Sequence, residues 1–237
     1  MMKIKLSLLL ILLVPAASES ATYWVRPTGT MAGCTPSASA PASDSGYKPT
    51  INAAIGCMSG GDTIEIRGGT YPEFLGQHGP AGYPPSGSSW SSPTTIKAYR
   101  NEAVRIRPSG NHSVLTLFDS SNQYLVFDTL IFDGANLTRD GLFVPQIITV
   151  GNGSHIRLIR SEIVNMPGGY GSIWSEGSDY QILYNIFHES YPDPAGYHDG
   201  GRKCGQTSCW GYPIYFGGSG GRIEGNTFYN FPSWGIH

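Results

Sequence analysis

Two stretches of this chain can be laid on one another without a gap: Ser172 to Phe187, SIWSEGSDYQILYNIF, and Pro213 to Phe228, PIYFGGSGGRIEGNTF. Ile173 then falls on Ile214, Ile182 on Ile223, Asn185 on Asn226 and Phe187 on Phe228. Each copy carries an apolar residue, a second nine positions later and a third five after that. The same template picks out Val150, Ile159, Val164 and Phe118, Phe127, Phe132. Successive copies start 32, 23 and 41 residues apart, and the shortest interval is the length of one turn of a solenoid built from short strands. One turn alone cannot bury its inward side chains. Turns stacked at roughly 4.8 Å pair every backbone group with a neighbour and share a continuous core. The expected fold is therefore all-β, a parallel β-helix with turns of about 23 residues. A β-sandwich also alternates short runs with Gly and Asn, but its strands need no common phase.

Composition agrees, because charged residues make up only 14% of the chain against 32 Gly and 17 Pro, which disfavours a helical bundle and favours short strands joined by turns. One helix is expected near the start. Ile51, Ala54, Ile55 and Met58 fall at helical spacing, with Pro49 and Thr50 before them and Gly60 and Gly61 after, so a short amphipathic helix would cap the open top of the core. At the other end the chain stops at Ile236 and His237, where the next apolar position is due. A bare solenoid end exposes strand edges, so the C-terminal rungs are expected to be missing from this reading frame, the other possibility being that the end pairs with another chain.

Lys3 and Lys5 precede an apolar run from Leu6 to Val14, followed by Ala16, Ala17 and Ser18, the pattern of a signal peptide spanning about residues 1–21. No later segment approaches the roughly 20 apolar residues of a membrane helix. A secreted or periplasmic product without a membrane span is expected, its single domain comprising a cap over about 22–61 and rungs over 62–237. Without Lys3 and Lys5 the 15 basic residues fall to 13 against 17 acidic ones, or 16 if Glu19 also leaves. Arg202 and Lys203 form the one close basic pair, so no nucleic-acid footprint is present. Four cysteines in an exported chain read as two disulfides, Cys34 with Cys57 and Cys204 with Cys209 being favoured among three pairings; their gaps fit a zinc site badly.

The segment Gly61 to Tyr71, GDTIEIRGGTY, together with the preceding helix and the opening Thr22 to Thr30, TYWVRPTGT, resembles the start of proteins in the pectate-lyase-like right-handed β-helix superfamily. That resemblance covers most of the chain after the signal peptide. It implies a right-handed coil, with the Gly-Asp pair leading from the cap into the first rung and Gly-Thr-Tyr closing its turn. It also implies a polysaccharide partner. The fold hosts lyases, hydrolases, epimerases and non-catalytic surface proteins, so it does not choose a reaction. No Asp-Asp pair and no Gly-His-Gly is present, a departure from the pectin hydrolases.

If the nine and five gaps never vary, all extra length enters at one corner, in insertions from Asp133 to Thr149 and from His188 to Pro213, which would rise from the same side and wall a groove. Lyases of this superfamily remove the proton beside a uronate carboxylate, which calls for a cation on the carboxylate and a base. Lys203 and His198 are candidate bases, Arg202 and Arg139 candidate carboxylate clamps, and Glu189, Asp193 and Asp199 candidate ligands for calcium. The same acids also offer carboxylate pairs for glycoside hydrolysis. Tyr191, Tyr197, Trp210, Tyr212 and Tyr215 either stack on sugar rings or pack the loop onto the coil. Arg222 and Glu224 are expected to face solvent, Trp90 to anchor a loop, and Asn185 with Asn226 to form an inward amide ladder. The sequons at Asn111, Asn136 and Asn152 are short enough to arise by chance. The expected function is a lyase cleaving a uronic-acid polymer. Its alternatives are a non-catalytic glycan-binding or cell-surface adhesion module and an inactive fragment of a longer enzyme.

Overall fold

The computed structural model describes residues 20–138, 145–167, 171–190, 212–231 and 235–237. Its strands fall into three sheets, each wholly parallel. The first contains Thr22–Val25, Thr63–Ile66, Thr94–Ala98, Gln123–Asp128, Ser154–Ile159, Gln181–Leu183 and Arg222–Glu224 in that spatial order. The second contains Gly69–Tyr71, Val104–Ile106, Ile131–Asp133, Glu162–Met166, Ile186–Ser190 and Thr227–Tyr229, and the third Leu75–Gly76, Leu115–Leu117, Ile148–Val150, Gly171–Ser175 and Tyr212–Phe216. From Thr63 onward the chain visits first, second and third sheet in rotation, so each turn lays one strand on each sheet, an arrangement compatible with a parallel β-helix.

Register stacks the core into three columns. Ile64, Ile96, Phe127, Leu158, Ile182 and Ile223 align in the first sheet. Tyr71, Ile106, Phe132, Ile163, Phe187 and Phe228 align in the second, and Leu75, Leu115, Ile148, Ile173 and Ile214 in the third, with Ile236 bridged beyond. The two gap-free copies therefore stack as aligned.

In the two earlier copies Phe127 and Phe132 hold their places and the other four positions are corrected by one to three residues. Ile173 pairs with Ile148 rather than Val150, Ile182 with Leu158 rather than Ile159, and Phe187 with Ile163 rather than Val164. In the turn before, Leu115 takes the place given to Phe118, which is 41% exposed. The gap of five between first and second sheets holds in the last four turns, because the turn there is fixed. The gap of nine from third to first sheet holds only in the last two turns. It is ten from Ile148 to Leu158, twelve from Leu115 to Phe127 and 21 from Leu75 to Ile96. Between first and second sheets it is seven from Ile64 to Tyr71 and ten from Ile96 to Ile106, so extra length enters at all three corners, not one.

The five-residue gap has a backbone signature. Thr129, Arg160, Tyr184 and Gly225 occupy equivalent positions of that turn with φ of 57°, 50°, 56° and 66°. Left-handed backbone costs of order 1–2 kcal/mol at a non-glycine residue, and the stacked register on both sides holds it there. Within the same turn the expected amide ladder is present and extends one step further. Leu130 N–H donates to Ser161 Oγ (3.1 Å), Ser161 N–H to Asn185 Oδ1 (2.8 Å) and Asn185 N–H to Asn226 Oδ1 (2.8 Å).

The helix runs Ile51–Ile55, shorter than its pattern suggested, and ends at Gly56. Thr50 caps it by accepting from Ala53 N–H (3.0 Å), and the Glu73 carboxylate accepts from the N–H groups of Ile51 and Asn52 (2.7 and 2.9 Å), satisfying donors that helix starts leave unpaired. Ile51, Ala54 and Ile55 join the core cluster. Cys34 and Cys57 form a disulfide that ties the opening segment to the helix end. Cys204 and Cys209 lie outside the described residues. Among the described residues, no helix is long and apolar enough to cross a membrane.

Candidate functional site

Alternation along a strand sends the residue that follows each third-sheet core position outward. Register then lines up Gly76, Thr116, Thr149, Trp174 and Tyr215 on the outer face, with His237 following beyond Tyr215. Five strands at roughly 4.8 Å make this row about 19 Å long, parallel to the stacking direction. A cavity of about 300 Å³ lies over its centre, lined by His78, Asn111, His112, Ser113, Thr116, Phe118, Gln146, Thr149 and Trp174.

The floor of the cavity is polar and buried. Thr116, Thr149, Gln146 and Ser113 are each less than a tenth exposed. Thr149 Oγ1 donates its proton to Gln146 Oε1 (3.2 Å), so the 2.8 Å contact between Ser113 Oγ and Thr149 Oγ1 has Ser113 as donor. Thr116 Oγ1 has no hydrogen-bond partner among the described residues. An unmatched buried hydroxyl costs about 1–3 kcal/mol.

The walls are rings. Phe118 leans on Trp174 with centroids 5.8 Å apart. Opposite them His78 and His112 stack at 3.8 Å with planes 2° apart, and Phe74 meets His112 edge-on at 5.6 Å. Gly76 lets the next third-sheet strand come close: its φ is 77°, and a Cβ there would sit 2.0 Å from the Thr116 carbonyl oxygen. Burial, and secondarily the neighbouring His112, hold the His78 imidazole below its ordinary value, so it is neutral at neutral pH. Two parallel rings at this distance cannot aim ring nitrogens at one ion, because the lone pairs lie in the ring planes. Among the described residues the cavity is lined by no Lys, Arg, Asp or Glu.

His78 starts the long connection from the third sheet to the first, and Trp90 near its end holds that connection down. Trp90 Nε1 donates to Asp179 Oδ2 (3.0 Å), Asp179 also pairs with His155 Nδ1 (2.7 Å), and the Arg157 guanidinium lies over the indole at 4.2 Å. Tyr124 stacks on His155 at 4.3 Å. Trp90 is thus the loop anchor that was expected.

Most of the residues singled out by sequence, Arg139, Tyr191, Asp193, Tyr197, His198, Asp199, Arg202, Lys203 and Trp210, lie outside the described residues. Glu189 is the last residue but one of a second-sheet strand, where its Oε1 accepts from Asn230 Nδ2 (2.6 Å) and lies 3.9 Å from His188 Nδ1. Among the described residues no cluster of three or more His, Cys, Asp or Glu suits a metal ion. Tyr212 and Tyr215 both contact the His237 ring, at 4.8 and 5.0 Å, beside the outward row. Arg222 and Glu224 form an exposed ion pair on the first sheet, as expected. Sequence reasoning missed His78, His112, Thr116, Thr149, Gln146 and Trp174. The one available signal was the recurrence of an outward residue one place after each third-sheet core position.

Comparison of the chain with protein-family models, with curated proteins and with solved structures gives no match in any of the three.

Proposed function

We propose that this chain is a secreted, polysaccharide-active protein, a right-handed parallel β-helix of the pectate-lyase-like kind that holds its polymer along the outer face of the third sheet. The observation that carries this reading is the row Thr116, Thr149, Trp174 and Tyr215 beneath a ring-walled cavity. Sugars offer alternating hydroxyl edges and apolar faces, and a surface of hydroxyls, amides and aromatic rings complements both. The step between strands, roughly 4.8 Å, is close to the length of one pyranose unit, so an extended glycan lying along the row keeps pace with the turns. Right-handedness is supported by the strong preference of parallel strands in one sheet for right-handed connections. Export is supported by the signal-like start and by the Cys34–Cys57 disulfide, a bond characteristic of oxidising compartments.

The reaction that fits a uronic-acid polymer is β-elimination. A base takes the proton beside the carboxylate, a carbon–carbon double bond forms as the glycosidic C–O bond breaks, and the departing oxygen gains a proton. His78, uncharged at neutral pH and beside the cavity, is the base candidate among the described residues; Lys203 and His198 are the candidates on the insertion. Arg139 and Arg202 are the candidates for neutralising the carboxylate. Calcium, with Glu189, Asp193 and Asp199 as its candidate ligands, enters as a variable of the assay.

A second reading, a glycan-binding module without catalysis, is favoured by the lack of Lys, Arg, Asp and Glu among the described lining residues. Ultraviolet absorbance of unsaturated uronide separates the two, measured on alginate, pectate and glycosaminoglycans with calcium and with chelator. A rise that His78→Ala or Lys203→Ala abolishes supports elimination and identifies its base. No rise on any polymer, with measurable glycan binding, leaves the module.

A further inference from the structure

We infer that Arg105 and Arg107 form an oxyanion site on the outer face of the second sheet, apart from the third-sheet row, and that it takes the carboxylate or sulfate group of an acidic sugar. The sugar rests on the polysaccharide reading; the anion site does not. The inference comes from a surplus of charge. Both guanidinium groups converge on one oxygen, Asp133 Oδ2: Arg105 through Nη1, and Arg107 through Nε (2.7 Å) with its Nη2 at 2.6 Å. Asp133 Oδ1 is already served by Asn165 Nδ2 and the Ala135 N–H, each at 2.9 Å. Arg107 alone can satisfy Oδ2, so Arg105 brings a second positive charge to a carboxylate that neutralises one. Among the described residues no other carboxylate lies within 4.0 Å of either guanidinium group.

The surplus faces outward. Asp133 is fully buried, whereas the Arg105 and Arg107 side chains are 29% and 35% exposed. Arg105 commits one of its five N–H donors, and Arg107 leaves its Nη1 group uncommitted. Bonded to a single oxygen, the two groups hold donors within about 5 Å of each other, close enough for one carboxylate or sulfate to accept from both. Register places the exposed Thr70 on one side of Arg105 and Ile131 on the other, so neither neighbour adds charge. Glu162, the next charged group along that row, is two strands or roughly 10 Å away and is engaged by His188 (3.2 Å). Two like charges held together on one buried acid repel, and an arriving oxyanion relieves that repulsion. A pair this exposed is screened by salt, so binding is millimolar and the third-sheet row dominates the affinity for a whole polymer.

The test reads ligand-induced shifts in Tm at low ionic strength and neutral pH, on the full chain and on Arg105→Gln, in which Arg107 still holds Asp133. Sodium sulfate is compared with sodium chloride at equal ionic strength, galactose 6-sulfate with galactose, and galacturonate with its methyl ester. At about 20 mM, a ligand with a dissociation constant of about 5 mM raises Tm by roughly 2–4 °C. That shift is expected for sulfate and for at least one acidic sugar in the wild-type chain and not in Arg105→Gln, while general salt stabilisation is common to both chains and cancels. The pair that responds tells carboxylate from sulfate. Arg105→Lys, which keeps the charge beside Asp133 but not the fork, is expected to retain part of the shift, and it carries the comparison should Arg105→Gln not fold. Equal sulfate shifts in the wild type and the folded variants overturn the site. A sulfate shift that depends on Arg105, with neither acidic sugar exceeding its neutral counterpart, overturns the sugar ligand and leaves the third-sheet reading to its own test, since Trp174 takes no part here.

Discussion

Replacing Asn185 with alanine removes the central member of the side-chain ladder that joins successive turns at the corner between first and second sheets. Asn185 is 1% exposed. Its Oδ1 accepts from Ser161 N–H (2.8 Å), and its Nδ2 donates to the Leu158 carbonyl (3.0 Å) and to Asn226 Oδ1 (3.0 Å). Asn226 Oδ1 keeps a second donor, the Asn185 backbone N–H (2.8 Å), and Leu158 C=O keeps the ladder of the first sheet, so alanine orphans one buried backbone group, Ser161 N–H. At about 1–3 kcal/mol for the unmatched buried group and about 1 kcal/mol for the lost bond to Leu158 C=O the loss is about 3 kcal/mol, or roughly 6–12 °C in Tm for a chain of this size. Asn226 is only half-buried and its Nδ2 bond to the Ile182 carbonyl (2.7 Å) lies in the last turn, where water can substitute, so Asn226→Ala is expected to cost about 1–2 kcal/mol. Urea unfolding at neutral pH, followed by circular dichroism and tryptophan fluorescence, measures both. A loss below about 1 kcal/mol for Asn185→Ala, the range of ordinary surface changes, would refute the view that this ladder ties the turns together.

Other consequences follow from particular contacts. Cys57→Ser opens a bond that spans 23 residues, and a loss of about 3 kcal/mol in the same unfolding assay is expected from chain entropy. Asp133 is fully buried; burial pushes its carboxyl up, but bonds from Asn165, the Ala135 N–H, Arg107 and Arg105 outweigh this and hold it below the usual carboxylate range. A lowered native value stabilises the fold above the unfolded value of about 3.9 and withdraws that stability as pH falls through the native value. Asp133→Asn should therefore cost about 2–3 kcal/mol at neutral pH, the two arginines being a third exposed, and flatten the acid limb of a stability–pH profile. Trp90→Phe removes the donor to Asp179 while keeping a ring under Arg157. It should raise protease cleavage within residues 77–93 several-fold with a global cost of about 1 kcal/mol.

The parts of the fold that were legible in sequence are those where one pattern admits one phase. Residues 173–187 and 214–228 align without a gap, and their register in the sheets is the same alignment. In earlier turns each third-sheet strand buries two apolar residues on its inner side, Leu115 with Leu117 and Ile148 with Val150, so a template of single apolar positions fits in more than one phase. Phe118 misled it further, being apolar yet placed outside as a cavity wall. The helix, the Cys34–Cys57 bond and the amide ladder carried local signals, namely helical spacing, cysteine count and a repeated Asn. The cavity carried only the recurrence of an outward residue after each third-sheet core position, which is legible once register is known. His78, Thr116, Thr149 and Trp174 come from four successive turns, and a threonine on the outward pleat is chemically ordinary until register sets it beside another. The charged insertion drew attention because its residues cluster in sequence, whereas the cavity clusters only in space.

The measurement that bears most directly on function is the affinity of the purified chain for a panel of soluble polysaccharides in native affinity electrophoresis, run beside Trp174→Ala and, as a control far from the row, Arg222→Ala. If the outer face of the third sheet holds the polymer, at least one polysaccharide retards the wild-type chain, Trp174→Ala loses about tenfold or more in affinity, and Arg222→Ala does not. Retardation that Trp174→Ala leaves unchanged would place the glycan elsewhere on the coil, and no retardation by any polysaccharide would contradict the proposed function.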